Sequence, residues 1–211
     1  DVTTIPAYSD SKTSINWSQL TNSVVSSSRI SALGISKSPA NRLYYGTLDG
    51  RLFRIDGANI GDSIRTDIGT GKGFPAYAYV SCIDVDPSDY NKAILVLSNY
   101  SIQSLFYTTD AGVSWHDISG NLEEYADGTG NGPSCRWASM LPVGSSIMYF
   151  VGTSTGLYST TSLNGSSTVW VQEGPSTIGN VAVDMIDTRA VDGLVVAATH
   201  ANGVFSANLG V

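Results

Sequence analysis

Internal repetition constrains this chain more than any other feature. Four segments follow one pattern: an apolar first strand, a longer apolar second strand and a third strand with an aromatic near its start. The first segment runs from Arg29 through Leu43-Tyr-Tyr-Gly-Thr to Leu52-Phe-Arg-Ile, and the second from Tyr79 through Ile94-Leu-Val-Leu-Ser to Leu105-Phe-Tyr-Thr. The third runs from Arg136 through Met148-Tyr-Phe-Val-Gly-Thr to Leu157-Tyr-Ser-Thr, and the fourth from Asn180 through Leu194-Val-Val-Ala-Ala-Thr to Val204-Phe-Ser-Ala. The second strands begin at residues 43, 94, 148 and 194, so they lie 51, 54 and 46 residues apart. A repeat of this length cannot bury its own faces and must stack on its neighbours. The period suits a four-stranded propeller blade. The expected fold is therefore all-β, a single β-propeller domain over 1–211. Its blades are expected at 29–68, 78–119, 136–173 and 180–209.

Burial assigns the strands. A continuous apolar second strand is expected where other blades cover both faces. The first strands carry small residues near their starts (Ser31, Ser81, Ala138, Ala182), which fit a crowded central channel. The fourth unit ends without an outer strand, while Ser14 to Leu20, with Trp17, reads as an outer strand without a blade. An N-terminal strand that completes the last blade would close a ring and hide its edges. Three arrangements fit four blades: half of a larger parent propeller, two copies forming an eight-bladed homodimeric ring, or a closed four-bladed ring.

The run Thr108-Thr109-Asp110-Ala111-Gly112-Val113-Ser114-Trp115 defines one hairpin closely. Asp110 accepts hydrogen bonds from turn amides, and Gly112 supplies a positive φ. Trp115 starts the next strand and covers the turn with its ring. A second turn, Ser162-Leu-Asn164-Gly165-Ser166, reads as a lengthened, decayed version. The first run matches Ser/Thr-x-Asp-x-Gly-x-Ser/Thr-Trp, the Asp box, and the chain resembles the Asp-box (BNR repeat) propeller superfamily over nearly its whole length. Within it, Tyr107 to Trp115, Gly156-Leu-Tyr-Ser and Ala198 to Phe205 look most like the final blades of large, secreted, glycosyl-hydrolase-like repeat proteins of bacteria. Relatives by this resemblance include sialidases, xyloglucan-cleaving enzymes and sortilin-type receptors. The resemblance implies that Thr108, Asp110, Gly112, Ser114 and Trp115 act as a folding staple rather than as catalytic groups.

Composition narrows the function. Charged residues are 14% of the chain, the net charge is −7 and Lys plus Arg number 11, which argues against a nucleic-acid groove or an anionic membrane surface as partner. The longest apolar runs are of strand length, so no membrane insertion is expected. The chain opens on Asp1 with no signal peptide in view, which reads as a mature or excised segment of a secreted or cell-surface protein. Cys82 and Cys135 read either as buried thiols in two inner strands or as one disulfide. Neither His116 nor His200 belongs to a zinc spacing, and Asp84-Val-Asp86-Pro-Ser-Asp89 lacks the Gly and distal Glu of a calcium loop. No metal or cofactor is expected.

Propeller ligands are expected on the face made by the loops that lead into the inner strands and those that join second to third strands. Those loops nominate Arg29, Tyr77, Tyr79, Tyr100, Tyr125, Arg136, Trp137 and His200 as ligand-binding residues. Catalysis by glycoside cleavage needs two facing carboxyls, roughly 5 to 9.5 Å apart. Glu123, Glu124 and Asp127 of the Gly120 to Ser134 loop, with Asp49, are the weak candidates, and a solvated loop is the ordinary reading. Phe53-Arg54-Ile55-Asp56 resembles a sialidase Phe-Arg-Ile-Pro motif only superficially, because its Pro is replaced and it sits in a third strand. The sequence thus favours a module that binds a glycan or an extracellular protein. A glycoside hydrolase with part of its site elsewhere is the first alternative, and a structural or assembly protein the second.

Overall fold

The computed structural model describes residues 18–210. They form a four-bladed β-propeller of fifteen strands. The first sheet is β1 (Ile30–Lys37), β2 (Ala40–Thr47), β3 (Leu52–Ile55) and β4 (Thr66–Asp67), in that order. The second is β5 (Val80–Val85), β6 (Ala93–Leu97), β7 (Leu105–Thr108) and β8 (His116–Asp117). The third is β9 (Cys135–Val143), β10 (Ser146–Thr153), β11 (Gly156–Thr160) and β12 (Val171–Glu173). The fourth sheet has three strands, β13 (Val183–Arg189), β14 (Leu194–Thr199) and β15 (Val204–Asn208). All pairings are antiparallel, and each second strand starts within three residues of its expected place. No helix of the described residues is long and apolar enough to cross a membrane.

Packing runs between blades. Tyr44, Leu52 and Ile68 of the first blade meet Val80, Leu95 and Phe106 of the second. Ile94, Val96 and Leu105 meet Ala138, Met140 and Tyr149 of the third, and Leu141, Phe150 and Leu157 meet Val183, Ile186 and Val195 of the fourth. Each such fully buried aliphatic side chain contributes about 1.5–3 kcal/mol relative to exposure. Gly46 and Gly152 are the seats in this packing, because Val80 and Val183 lie where their Cβ atoms would be. Cys82 and Cys135 are buried free thiols, so the disulfide reading falls away.

A common register links the four inner strands. In every blade, the residue before the inner strand accepts a hydrogen bond at its carbonyl from the residue after the second strand. The four bonds are Leu48 N to Arg29 O (3.1 Å), Ser98 N to Tyr79 O (3.1 Å), Ser154 N to Ser134 O (2.9 Å) and His200 N to Ala182 O (2.8 Å). Ile30, Val80, Cys135 and Val183 therefore occupy equivalent positions. A bulge follows each, at Ser31, Ser81, Arg136 and Asp184. This register corrects the expected ring of small residues. Ala138 lies two places beyond the bulge, Ala182 precedes β13, and Ser31 points into the seam, where its Oγ donates to Val80 O at 2.7 Å. Large and charged side chains such as Trp137, Met185, Lys37 and Asp187 line the inner strands together with small ones.

The expected outer strand at the N-terminus falls mostly outside the described residues, since Ser14 to Trp17 are not among them. Ser18–Leu20 are not in a strand, and Thr21–Ser23 form a 3-10 turn. Leu20 and Val25 pack on Tyr45, Phe53 and Ile55, on the face of the first blade that points away from the second. Blades stack in series, β1 on β5, β5 on β9 and β9 on β13. Among the described residues β13 and β1 do not stack to a comparable extent, although both line the central groove.

Candidate functional site: the lead-in face and the central groove

The two ends of the propeller differ in chemistry, and the hairpin at Asp110 marks one of them. Asp110 Oδ1 accepts from Thr108 Oγ1 (2.8 Å) and Ser114 N (2.8 Å), and its Oδ2 accepts from Ser114 Oγ (2.6 Å). Burial raises the Asp110 pKa, but these hydrogen bonds outweigh it and leave the carboxyl below its ordinary value. Ala111 and Gly112 both take positive φ, 63° and 83°. Ala111 N donates to Asn91 O (2.8 Å), beside the loop joining first to second strands, so this turn lies opposite the lead-in loops. Arg54 is also on this side, donating to Ala111 O (2.6 Å) and paired with Asp56, so the sialidase-like run links the first blade to the hairpin of the second. The Trp115 ring packs edge-on against Phe74 and its Nε1 donates to Ile68 O (3.1 Å), so it clamps the neighbouring blade instead of covering its own turn. Asp110→Ala is expected to lower the unfolding free energy by about 1–3 kcal/mol in a urea titration. Ligand affinity at the far face should not change. Lost binding at full stability would put the ligand on this face.

The lead-in face carries the nominated residues. Tyr77 is 82% exposed and sits at φ 59° beside the Gly50 turn. Tyr79 is held by a bond from its backbone N to Asn99 Oδ1 (2.6 Å), and Tyr100 and Tyr125 are exposed. Arg136 and His200 converge on Asp184: Arg136 Nη1 pairs with Asp184 Oδ1, and His200 Nδ1 is 3.5 Å from Oδ2. Sequence reasoning missed Asp184. Its signal is the bulge position, where blade 3 carries Arg136 and blade 4 carries the acid. Arg29 is exposed at the head of β1.

Trp137 links this rim to a central groove of about 330 Å³ along the four inner strands. Its walls combine Trp137, Met140 and Met185 with Lys37, Asp84 and Asp187. Burial pushes the Asp84 carboxyl up to about 7, partly countered by the bond that its Oδ2 accepts from Met140 N (2.6 Å). Asp84 and Asp187 were also missed as groove acids; each follows an isoleucine at the fifth position of its inner strand. The remaining acids of the calcium-like run shape a turn: Asp86 Oδ1 accepts from Ser88 N (2.8 Å), and Asp89 Oδ1 from Asn91 N (3.0 Å). Among the described residues, no group of three or more His, Cys, Asp or Glu is placed to hold a metal ion.

Of the four candidate catalytic acids, Glu123 and Glu124 border one shallow hollow, and Asp49 and Asp127 are not among its lining residues. Asp49 Oδ1 accepts from Ser28 Oγ (2.6 Å) and Thr47 Oγ1 (2.5 Å), and Arg51 pairs with Oδ2 (3.0 Å). Those bonds, Ser28 first, hold its pKa far below the ordinary value, so Asp49 cannot act as an acid. Asp127 Oδ1 accepts from Thr129, and Glu124 Oε2 from Asn131 N (2.7 Å). Only Glu123 differs: burial pushes it up to about 7 and its Oε1 has no hydrogen-bond partner. It shares that hollow with Glu124, Asn121, Asn131 and Pro133, and none of the loop's acids lines the central groove.

Comparison with known proteins bears on the fold. No family model matches the chain, and no curated protein matches it in sequence. Among solved structures it resembles the computationally designed Ika4 protein (13% identity, TM-score 0.53), covering 88% of this chain and 94% of that one. It also resembles the GH74 enzyme of Niastella koreensis (16%, TM-score 0.56), covering 86% of this chain and 30% of that one. A third likeness is to the Cps50 (Swd1) β-propeller domain of Myceliophteria thermophila (11%, TM-score 0.56), covering 84% and 51%. The chain thus spans about a third and a half of these two natural chains. At such identities the likeness is one of architecture, and the chain is a β-propeller module.

Proposed function

We propose that this chain is an extracellular, non-catalytic propeller module of the Asp-box superfamily that binds a glycan or a protein through its lead-in face. The observation that carries this reading is the set of exposed rings, Tyr77, Tyr79, Tyr100 and Tyr125, on loops fixed to a rigid rim. Aromatic faces on preorganised loops bind sugar rings or apolar side chains at a reduced ordering cost. Asp49, Glu124 and Asp127 are already engaged by neighbouring donors, which supports binding over chemistry. The hairpin at Asp110 supports the superfamily assignment, since its hydrogen bonds are those a folding staple needs. The test is a glycan and secreted-protein panel read by calorimetry. Tyr77→Ala with Tyr100→Ala should weaken binding at least tenfold while leaving the melting temperature unchanged. Hydrolysis of any panel glycan by the wild type would refute the non-catalytic reading.

One observation favours glycoside hydrolysis as a second reading. Glu123 has a carboxyl that burial pushes up to about 7, as a general acid requires, and it shares a surface hollow with a second carboxyl, Glu124. Under that reading Glu123→Gln abolishes turnover of plant or mucin glycans without changing stability at pH 5.

A further inference from the structure

We propose that the open face of the first blade docks onto the outer face of the fourth blade of a second copy, so that two copies close one ring of eight blades. The common register of the inner strands supports this docking. Val80, Cys135 and Val183 are fully buried by the preceding blade, while the equivalent Ile30 is 47% exposed. Two further positions behave alike. Ile83, Ala138 and Ile186 are buried, yet Leu33 is 64% exposed; Val85 and Met140 are buried, yet Ile35 is 63% exposed. The first blade therefore carries the three apolar residues of a blade seam with no blade seated on them among the described residues, Leu33 and Ile35 bordering the central groove. Leu20 and Val25 cover only the outer part of this face, over Tyr45 and Phe53.

The fourth blade carries the matching half. Val80 seats on Gly46 and Val183 on Gly152, and the register places the small Ala198 at that position in β14. Asp84 accepts from Met140 N across the second seam. Asp187 is the equivalent of Asp84, Ile35 is the equivalent of Met140, and Asp187 is solvent-exposed on β13. A seam between β1 of one copy and β13 of the other would bury Ile30 on Ala198. It would also place the Asp187 carboxylate at Ile35 N–H, near the positive charge of Lys37. The two complementary faces lie on one chain, so a second copy supplies both, and the head-to-tail contact closes where the rotation permits.

Sedimentation equilibrium of the full chain at micromolar concentration tests this. A mass of twice 22.2 kDa is expected. Leu33→Glu with Ile35→Glu should weaken association at least a hundredfold while the chain keeps its strand signal. Where that variant fails to fold, Ala198→Arg, at a partly exposed position, should do the same. Ile30→Cys combined with Ala198→Cys should yield a covalent dimer on mild oxidation. A monomeric wild type, an association that both interface variants leave intact, or a cross-link within one chain would each overturn the proposal. The first result would leave this face to further blades of a longer chain.

Discussion

Replacing Trp170 by alanine is expected to cost about 3–5 kcal/mol of stability, among the largest effects of any single substitution in this chain. Trp170 is 2% exposed in the seam between the second and third blades. Its Nε1 donates to Ile118 O at 2.9 Å, across that seam. Asn121 brackets its backbone, accepting from Trp170 N (2.6 Å) and donating to Trp170 O (3.0 Å). The ring therefore anchors a short, three-residue outer strand that has little pairing of its own. Trp170→Phe keeps most of the apolar volume but leaves the Ile118 carbonyl without this donor, at about 1–3 kcal/mol. Trp115→Ala should cost less, because Trp115 makes the corresponding bond to Ile68 O from a partly exposed site. Urea unfolding of the three variants gives the order directly. A cost for Trp170→Ala below that for Trp115→Ala would show that burial in this seam does not govern its strength.

The paired tryptophans also show what the sequence reveals and what it hides. Periodicity of apolar strands exposed the four blades, because a second strand such as Ala93–Leu97, covered on both faces, leaves no polar residue in its run. The hairpin at Asp110 was legible because hydrogen bonding and positive φ restrict residue type at fixed offsets. Trp115 was legible as the residue that starts the strand after the hairpin, but the bond that each tryptophan makes to the preceding blade was not. That contact spans 52 residues for Trp170, and no local pattern encodes it. The bulge at Ser31, Ser81, Arg136 and Asp184 was hidden for a related reason. A bulge shifts the inside-outside alternation by one residue, so residues that look equivalent by eye, such as Ser81 and Ala138, are not. The lead-in face was legible as a set of loops. The groove acids Asp84 and Asp187 were not, since each shares its strand with other polar residues (Ser81; Asp184 and Thr188), and the face it takes depends on the bulge before it.

Asp84 should make stability depend on pH in an unusual direction. Burial holds its folded pKa at about 7, against an ordinary value of 3.8. Between pH 4 and 7 the folded state then binds more protons than the unfolded state, so stability falls as pH rises through this window and levels off above it. A tenfold change in proton affinity on folding corresponds to roughly 1.4 kcal/mol, and water in the open groove screens part of the total, leaving about 2 kcal/mol. Glu123, also raised to about 7, acts in the same sense. The lowered carboxyls Asp49, Asp67 and Asp110 act in the opposite sense, but their contribution is lost only below about pH 4. Wild type is therefore expected to be more stable at pH 5 than at pH 8. Asp84→Asn keeps an acceptor for Met140 N–H and removes the titration. It should match the wild type only below about pH 4, exceed it increasingly as the pH rises, and lead by about 2 kcal/mol at pH 8. Glu123→Gln should remove a further part of the slope. Parallel stability curves for the wild type and Asp84→Asn between pH 5 and 8 would show that Asp84 titrates like a solvated carboxylate. The groove would then be wet enough to hold its charge at neutral pH, and a ligand entering it would meet a negative wall at Asp84 and Asp187 with Lys37 as the one opposing charge among its lining residues.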